Sequence, residues 1–134
     1  MRIIFWGTPE YSVKSLEVLN KSEHDILAVI TQPDKKRSRG KKLIASPVKE
    51  YATSANIPVL TPETIKGNIQ FISKLKELSC DLFIVIAYGK ILSKAILDIP
   101  KYKSWNAHAS LLPRWRGAAP VSYTHLTLPT TPYV

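Results

Sequence analysis

Short apolar runs alternate with amphipathic segments along the first 109 positions of the chain. Compact apolar runs are typical of buried strands, whereas apolar residues repeated every three or four positions are typical of helices. The alternation therefore predicts right-handed crossovers and an α/β fold with a doubly wound, mostly parallel sheet. The predicted strands are 2–6, 25–31, 57–61, 80–89 and 103–109.

The predicted helices begin at residues that commonly cap a helix N-terminus. Thr8 followed by Pro9 predicts the start of the first helix, and Ser46 followed by Pro47 predicts the start of the second. Two further helices are predicted within 68–78 and 92–100.

Composition is that of one ordinary globular domain. The chain has 134 residues, of which 45% are hydrophobic and 22% charged. No apolar run approaches the roughly 20 residues that a membrane-spanning helix needs. The single cysteine, Cys80, excludes an internal disulfide and is interpreted as a buried thiol.

Positive charge is concentrated in one predicted loop. The net charge is +9, and the block KKRSRGKK at 35–42 holds six cations and no anion. Such a block is either a solvated loop or a surface that contacts nucleic-acid phosphates. Charge alone favours neither interpretation.

The stretch WNAHASLLPRWRG at 105–117 pairs an amide with an imidazole at the end of the last predicted strand. In a regular strand, Asn106 and His108 lie on the same face. An imidazole that acts as acid and base beside an amide that stabilises an oxyanion suits acyl-transfer chemistry.

Ligands of such sheets bind outside the carboxyl ends of the strands, so AYGKIL at 87–92 and NAHASLLP at 106–113 are expected to face one pocket. Neither GxGxxG nor GxxxxGK[ST] occurs in the sequence. The three histidines lack the spacing of metal ligands, so no metal site is expected.

Four segments in order, GTPEYSV, QPDKKRSRGKKLIASPVKE, AYGKIL and NAHASLLPRWRGAAP, together resemble the methionyl-tRNA formyltransferase family from Met1 to Pro120. The resemblance implies a Rossmann-like catalytic domain followed by a small β-barrel domain. It implies transfer of the formyl group of 10-formyltetrahydrofolate to the α-amino group of methionyl initiator tRNA, by a cytoplasmic monomer without a metal.

The resemblance also assigns residues. His108 is the implied acid and base, Asn106 stabilises the oxyanion, and an aspartate completes the catalytic trio. The other implied contacts are to folate, by Tyr88, Gly89, Ile91, Leu92, Ser110, Leu111, Leu112 and Pro113, and to the tRNA acceptor arm, by Lys35, Lys36, Arg37, Arg39, Lys41 and Lys42.

Two other functions remain open at this point. A formyltransferase for an amino sugar nucleotide or for glycinamide ribonucleotide shares much of the chemistry, although neither has an evident need for the basic block. A non-catalytic tRNA-binding remnant would use the basic block alone.

The resemblance stops after Pro120. No acidic residue follows Asp98 in the sequence. Measured against the resemblance, we therefore expect the catalytic aspartate, the last sheet elements and the barrel domain to be missing from it. We expect 1–120 to be a partial catalytic domain and 121–134 a non-native tail. Residues 121–130 can be back-translated into bases that look like the transposon end and adapter used in preparing sequencing libraries. The chain as written is therefore expected to fold poorly and to be inactive.

Amplifying and sequencing the source locus across codon 120 tests this interpretation. We expect the reading frame to continue from AAP into a helix and an acidic catalytic stretch. A genomic frame that encodes VSYTHL and then stops would contradict it.

Overall fold

Five parallel strands form a single twisted sheet in the computed structural model, which describes residues 1–36 and 42–107. The elements in chain order are β1 (Arg2–Gly7), α1 (Glu10–Asn20), β2 (Asp25–Ile30), β3 (Lys35–Lys36), β4 (Leu43–Ile44), α2 (Pro47–Ser54), β5 (Val59–Leu60), α3 (Ile69–Glu77), β6 (Leu82–Ile86), α4 (Lys94–Leu97) and β7 (Ser104–Ala107). The sheet order is β5-β2-β1-β6-β7, and β3 pairs with β4 in a separate antiparallel hairpin.

Helices cover both faces of this sheet. On one face, Leu16 of α1 and Val48 of α2 pack among buried strand residues such as Phe5. On the other face, Leu75 of α3 and Ile96 of α4 pack in a second buried cluster. The predicted doubly wound, Rossmann-like α/β fold is thereby confirmed.

The strand register aligns the carboxyl ends of the central strands. Gly7 of β1 pairs with Ile86 of β6, and Ile86 pairs with Ala107 of β7. Trp6 pairs with Ile30, the last residue of β2. The loops that leave these strands therefore start at one level, where ligands of parallel sheets bind.

Trp6 anchors an aromatic cluster beneath that edge. Its fully buried ring lies 5.1 Å from the Phe83 and Tyr88 rings and 6.0 Å from the Phe71 ring, measured between centroids. The contacts with Tyr88 and Phe71 are edge-to-face, a favourable arrangement for aromatic quadrupoles. This cluster ties α3 and the loop after β6 to the sheet.

The predicted N-cap residue is confirmed for α2 and wrong for α1. Ser46 caps α2, with its Oγ accepting a 3.0 Å hydrogen bond from the Lys49 N–H. Pro9, not Thr8, occupies the N-cap position of α1. The Thr8 hydroxyl instead donates a 2.7 Å bond to the Tyr88 carbonyl, so a long-range bond replaces the predicted cap.

Several strands are shorter than the sequence pattern predicted. The run 80–89 forms a strand only over Leu82–Ile86, because Ala87 has a positive φ of 56°. The run 57–61 pairs only at Val59–Leu60. The predicted loop that holds the basic block contains the β3–β4 hairpin. Residues 108–109 of the last predicted strand lie outside the described residues.

Cys80 is a buried free thiol, as predicted, and burial raises its pKa to about 11. Among the residues that the structure describes, no helix is long and apolar enough to cross a membrane.

Replacing Ser46 with alanine tests the capping network of α2. Ser46 Oγ also shares a 2.7 Å hydrogen bond with Thr31 Oγ1 in the interior. S46A is expected to lower the free energy of unfolding by about 1–2 kcal/mol. Urea unfolding of the unaltered protein and of S46A measures this change.

Ser54, at the exposed end of the same helix, provides the matched control. S54A is expected to change the free energy of unfolding by no more than about 0.5 kcal/mol. Equal losses in the two variants would contradict a capping role for Ser46.

Candidate functional site

A sharp turn directly after β6 shapes the carboxyl edge of the sheet. Ala87 and Gly89 both have positive φ values, of 56° and 102°. Residues other than glycine rarely adopt such values, because the Cβ atom then crowds the backbone. The chain leaves the sheet abruptly here, and the segment Tyr88–Leu92 folds back beside the strand ends.

This segment forms a pocket together with the end of β7, which we call the turn pocket. Its volume is about 420 Å³. The lining residues are Val85, Ala87, Tyr88, Gly89, Lys90, Ile91, Leu92, Leu97 and Asn106. The structure thus brings together five of the predicted site residues, namely Asn106 and the four predicted folate contacts Tyr88, Gly89, Ile91 and Leu92.

Asn106 is placed there by the sheet. It pairs with Val85 in the β6–β7 ladder and is half-buried. Its side-chain amide makes no hydrogen bond to any residue that the structure describes. An amide at a pocket wall is suited to donate a hydrogen bond to a ligand oxygen.

The rest of the predicted catalytic and folate turn lies outside the described residues. His108 and the predicted folate contacts Ser110, Leu111, Leu112 and Pro113 all belong to this part of the chain. The expected placement of Asn106 and His108 on one strand face therefore stays a prediction.

A second pocket, the hairpin pocket, opens on the other side of the Thr8 loop. Its volume is about 310 Å³. The lining residues are Thr8, Gln32, Pro33, Lys35, Lys36, Ile44, Ala45, Ser46 and Pro47. The basic block thus contributes two exposed lysines, Lys35 and Lys36, to a concave surface.

The remaining predicted tRNA contacts divide into two groups. Lys42 is described and exposed, next to β4, whereas Arg37, Arg39 and Lys41 lie outside the described residues. Behind the hairpin, Lys49 Nζ forms a 2.9 Å ion pair with Asp34.

Thr8 and Gln32 line the hairpin pocket and bond to Tyr88, which lines the turn pocket. Thr8 Oγ1 donates to the Tyr88 carbonyl oxygen at 2.7 Å, and Gln32 Nε2 donates to the same oxygen at 3.1 Å. Sequence reasoning missed both roles. The available signal was that GTP and QP each directly follow a buried strand, which places their polar side chains at the ligand-binding edge.

Tyr88 contributes its backbone and ring to the site. Its side chain is 2% exposed, and burial raises the pKa of the phenol to about 12. The Tyr88 hydroxyl and the Trp6 indole nitrogen have no hydrogen-bond partner among the described residues. Tyr88 therefore stays neutral at physiological pH and is not suited to act as a general base.

Within the described ranges, no three His, Cys, Asp or Glu side chains are grouped so that they could hold a metal ion.

A parallel α/β domain with a pocket at the carboxyl edge of its sheet is typical of enzymes that bind small cosubstrates there. The family described as "Formyl transferase" matches residues 1–127, and the chain belongs to this family.

Curated relatives carry a more specific name. The protein named methionyl-tRNA formyltransferase from Prochlorococcus marinus subsp. pastoris MED4 is 86% identical over 126 residues, which cover 94% of this chain and 38% of the relative. Its namesake from Prochlorococcus marinus MIT 9515 is 80% identical over the same shares. One from Sulfurihydrogenibium sp. YO3AOP1 is 54% identical over 121 residues, covering 90% of this chain and 39% of the relative. The chain thus spans less than two-fifths of the length of these relatives.

Gly89 is required by both conformation and space. A Cβ atom at this position would lie 2.7 Å from Gln32 Nε2. G89A is therefore expected to strain the backbone and to displace the Gln32 amide. The summed loss in free energy of unfolding is about 2–3 kcal/mol.

Gly67 provides the control, because its φ is also positive, at 73°, and a Cβ there has nothing within 4 Å. G67A is expected to cost about 1 kcal/mol. Urea unfolding of both variants, in a chimera of positions 1–107 with the remainder of the MED4 relative, separates the steric from the conformational cost. Equal losses would contradict the close Gly89–Gln32 approach.

Proposed function

We propose that this chain is part of an enzyme that transfers the formyl group of 10-formyltetrahydrofolate to the α-amino group of methionyl initiator tRNA. One observation supports this most directly. Asn106 and the turn Tyr88–Leu92 share a pocket at the carboxyl edge of the sheet, in a chain 86% identical to a curated methionyl-tRNA formyltransferase.

The turn pocket is the proposed donor site. Its backbone after β6 offers peptide groups to the hydrogen-bonding edge of the pterin ring, and the side chains of Leu92 and Leu97 supply apolar walls. A mostly apolar cleft with a few oriented polar groups is the usual form of a cosubstrate site. Residues 110–113 border the folate on the remaining side in this proposal.

The proposed reaction is acyl transfer through a tetrahedral intermediate. The α-amino nitrogen attacks the formyl carbon and forms a C–N bond, while the carbonyl oxygen gains the negative charge. Asn106 donates a hydrogen bond to that oxygen. His108 takes a proton from the attacking amine and delivers it to N10 as the C–N10 bond breaks, releasing tetrahydrofolate.

The hairpin is the proposed contact for the acceptor arm of the tRNA. Lys35, Lys36 and Lys42 are exposed, and the adjacent Arg37, Arg39 and Lys41 extend the basic block. Clustered cations that neutralise phosphates release counterions, so binding weakens steeply as salt rises. The hairpin pocket lies beside the turn pocket, which lets an acceptor bound there approach the donor.

Our proposal also covers how the chain divides into catalytic and non-native segments. We propose that 1–120 are a partial catalytic domain and that 121–134 are adapter-derived, although the family match runs to residue 127. The segment 121–134 has no Asp, Glu, Lys or Arg. Without an aspartate to orient His108, the 134-residue chain is expected to have essentially no activity. The complete enzyme is proposed to act as a cytoplasmic monomer without a metal.

The chimera of positions 1–107 with the remainder of the MED4 relative tests the role of Asn106. N106A is expected to lower kcat about 10²- to 10³-fold, because one oxyanion donor is lost. Both KM values are expected to change by less than about threefold, since the bond forms mainly in the transition state. Release of tetrahydrofolate and formylation of methionyl-tRNA are the measured quantities.

Asn20 is the matched control, since it is exposed at the end of α1, away from both pockets. N20A is expected to keep full activity. Undiminished kcat in N106A would contradict the proposed mechanism, and an unaltered chimera that formylates an amino sugar nucleotide instead of tRNA would contradict the proposed substrate.

A further inference from the structure

We propose that Thr8 and Gln32 are positioning residues for the formyl donor, because together they fix the Tyr88 carbonyl and with it the turn that lines the donor pocket. This inference rests on the proposed function. Neither residue needs to touch the reacting atoms.

The turn is strained and requires an external restraint. Ala87 adopts a φ of 56°, which is unfavourable for a residue with a Cβ atom. Strained backbone persists only where surrounding contacts over-determine it. A free segment after β6 would continue the extended strand and would move the Tyr88–Leu92 backbone away from Asn106.

Two hydrogen bonds from different strands supply that restraint. Thr8 follows β1, and Gln32 follows β2, yet both donate to the one carbonyl oxygen of Tyr88, at 2.7 and 3.1 Å. Both bonds are partly buried, and loss of either hydrogen-bond donor leaves the Tyr88 carbonyl oxygen held by the other one alone. The three strands β2, β1 and β6 are neighbours in the sheet, so the bonds join their carboxyl ends.

Gly89 makes room for this arrangement. The Gln32 amide occupies the volume that a Cβ at position 89 would need, at a separation of 2.7 Å. The amide therefore packs against the backbone of the turn as well as bonding to it, which restricts its rotation. The Gln32 amide thus fits the space that is open because Gly89 has no side chain.

Thr8 and Gln32 also line the hairpin pocket, while Tyr88 and Gly89 line the turn pocket. The two bonds thus form the partition between the proposed acceptor and donor sides. Thr8 Oγ1 in turn lies 3.5 Å from Thr31 Oγ1, which bonds to the α2 cap Ser46. Loss of either hydrogen bond is expected to loosen the turn pocket before the hairpin pocket, because the strained turn lines the turn pocket.

The MED4 chimera allows a kinetic test. T8V replaces the hydroxyl with a methyl group at constant shape, and Q32M removes the amide at similar length. Each variant is expected to raise the KM for 10-formyltetrahydrofolate about fivefold to tenfold. The KM for methionyl-tRNA is expected to change by less than about twofold, and T8S, which keeps the hydroxyl, is expected to restore the donor KM.

Ser12 controls for a merely structural role. Its buried hydroxyl donates a 2.7 Å bond to the carbonyl of Ile86, the last residue of β6, and not to the turn that follows. S12A is expected to lower the melting temperature without raising the donor KM.

The outcomes separate the two proposals. An active unaltered chimera whose donor KM is unchanged in both T8V and Q32M would overturn this inference alone. A donor KM raised equally by S12A, or not restored by T8S, would also overturn it. An unaltered chimera that transfers no formyl group would overturn the proposed function and this inference with it.

Discussion

The carbonyl oxygen of Tyr88 is the acceptor on which the carboxyl edge of this sheet depends. Thr8 and Gln32 donate to it from the loops after β1 and β2, and so join three neighbouring strand ends. The turn around Tyr88 is intrinsically unfavourable, since Ala87 has a positive φ. The bonds hold the chain in the conformation that opens one pocket toward Asn106 and another toward the basic hairpin.

The sheet supplies rigidity beneath this edge, and the edge carries the residues of the proposed site. Trp6 packs against the Tyr88 ring from below, while the register of β6 with β7 places Asn106 beside Val85. An amide held by a strand on one side and a restrained backbone turn on the other fits a site that must orient a planar cosubstrate. The chain belongs to the family described as "Formyl transferase".

The fold class could be predicted from sequence because it depends on local patterns. Alternating apolar runs indicated the parallel sheet, and Ser46 with Pro47 marked the start of α2. Thr8 was misassigned as a cap because its partner, Tyr88, is 80 positions away. The end of β6 was missed because Ala87 and Tyr88 are apolar like a strand but turn out of it. His108, the proposed partner of Asn106, was predicted from a motif, whereas the bonds of Thr8 and Gln32 to the Tyr88 carbonyl could be found only from three-dimensional contacts.

A crystal structure of the MED4 chimera with 5-formyltetrahydrofolate, a stable relative of the donor, tests the central claim most directly. The account predicts that the pterin ring lies in the turn pocket against the backbone of 88–92, with the formyl end directed toward Asn106. A pterin ring in the hairpin pocket beside Thr8 and Lys35, or in the apolar groove formed by α1, β6 and β7 around Val18 and Trp105, would contradict it.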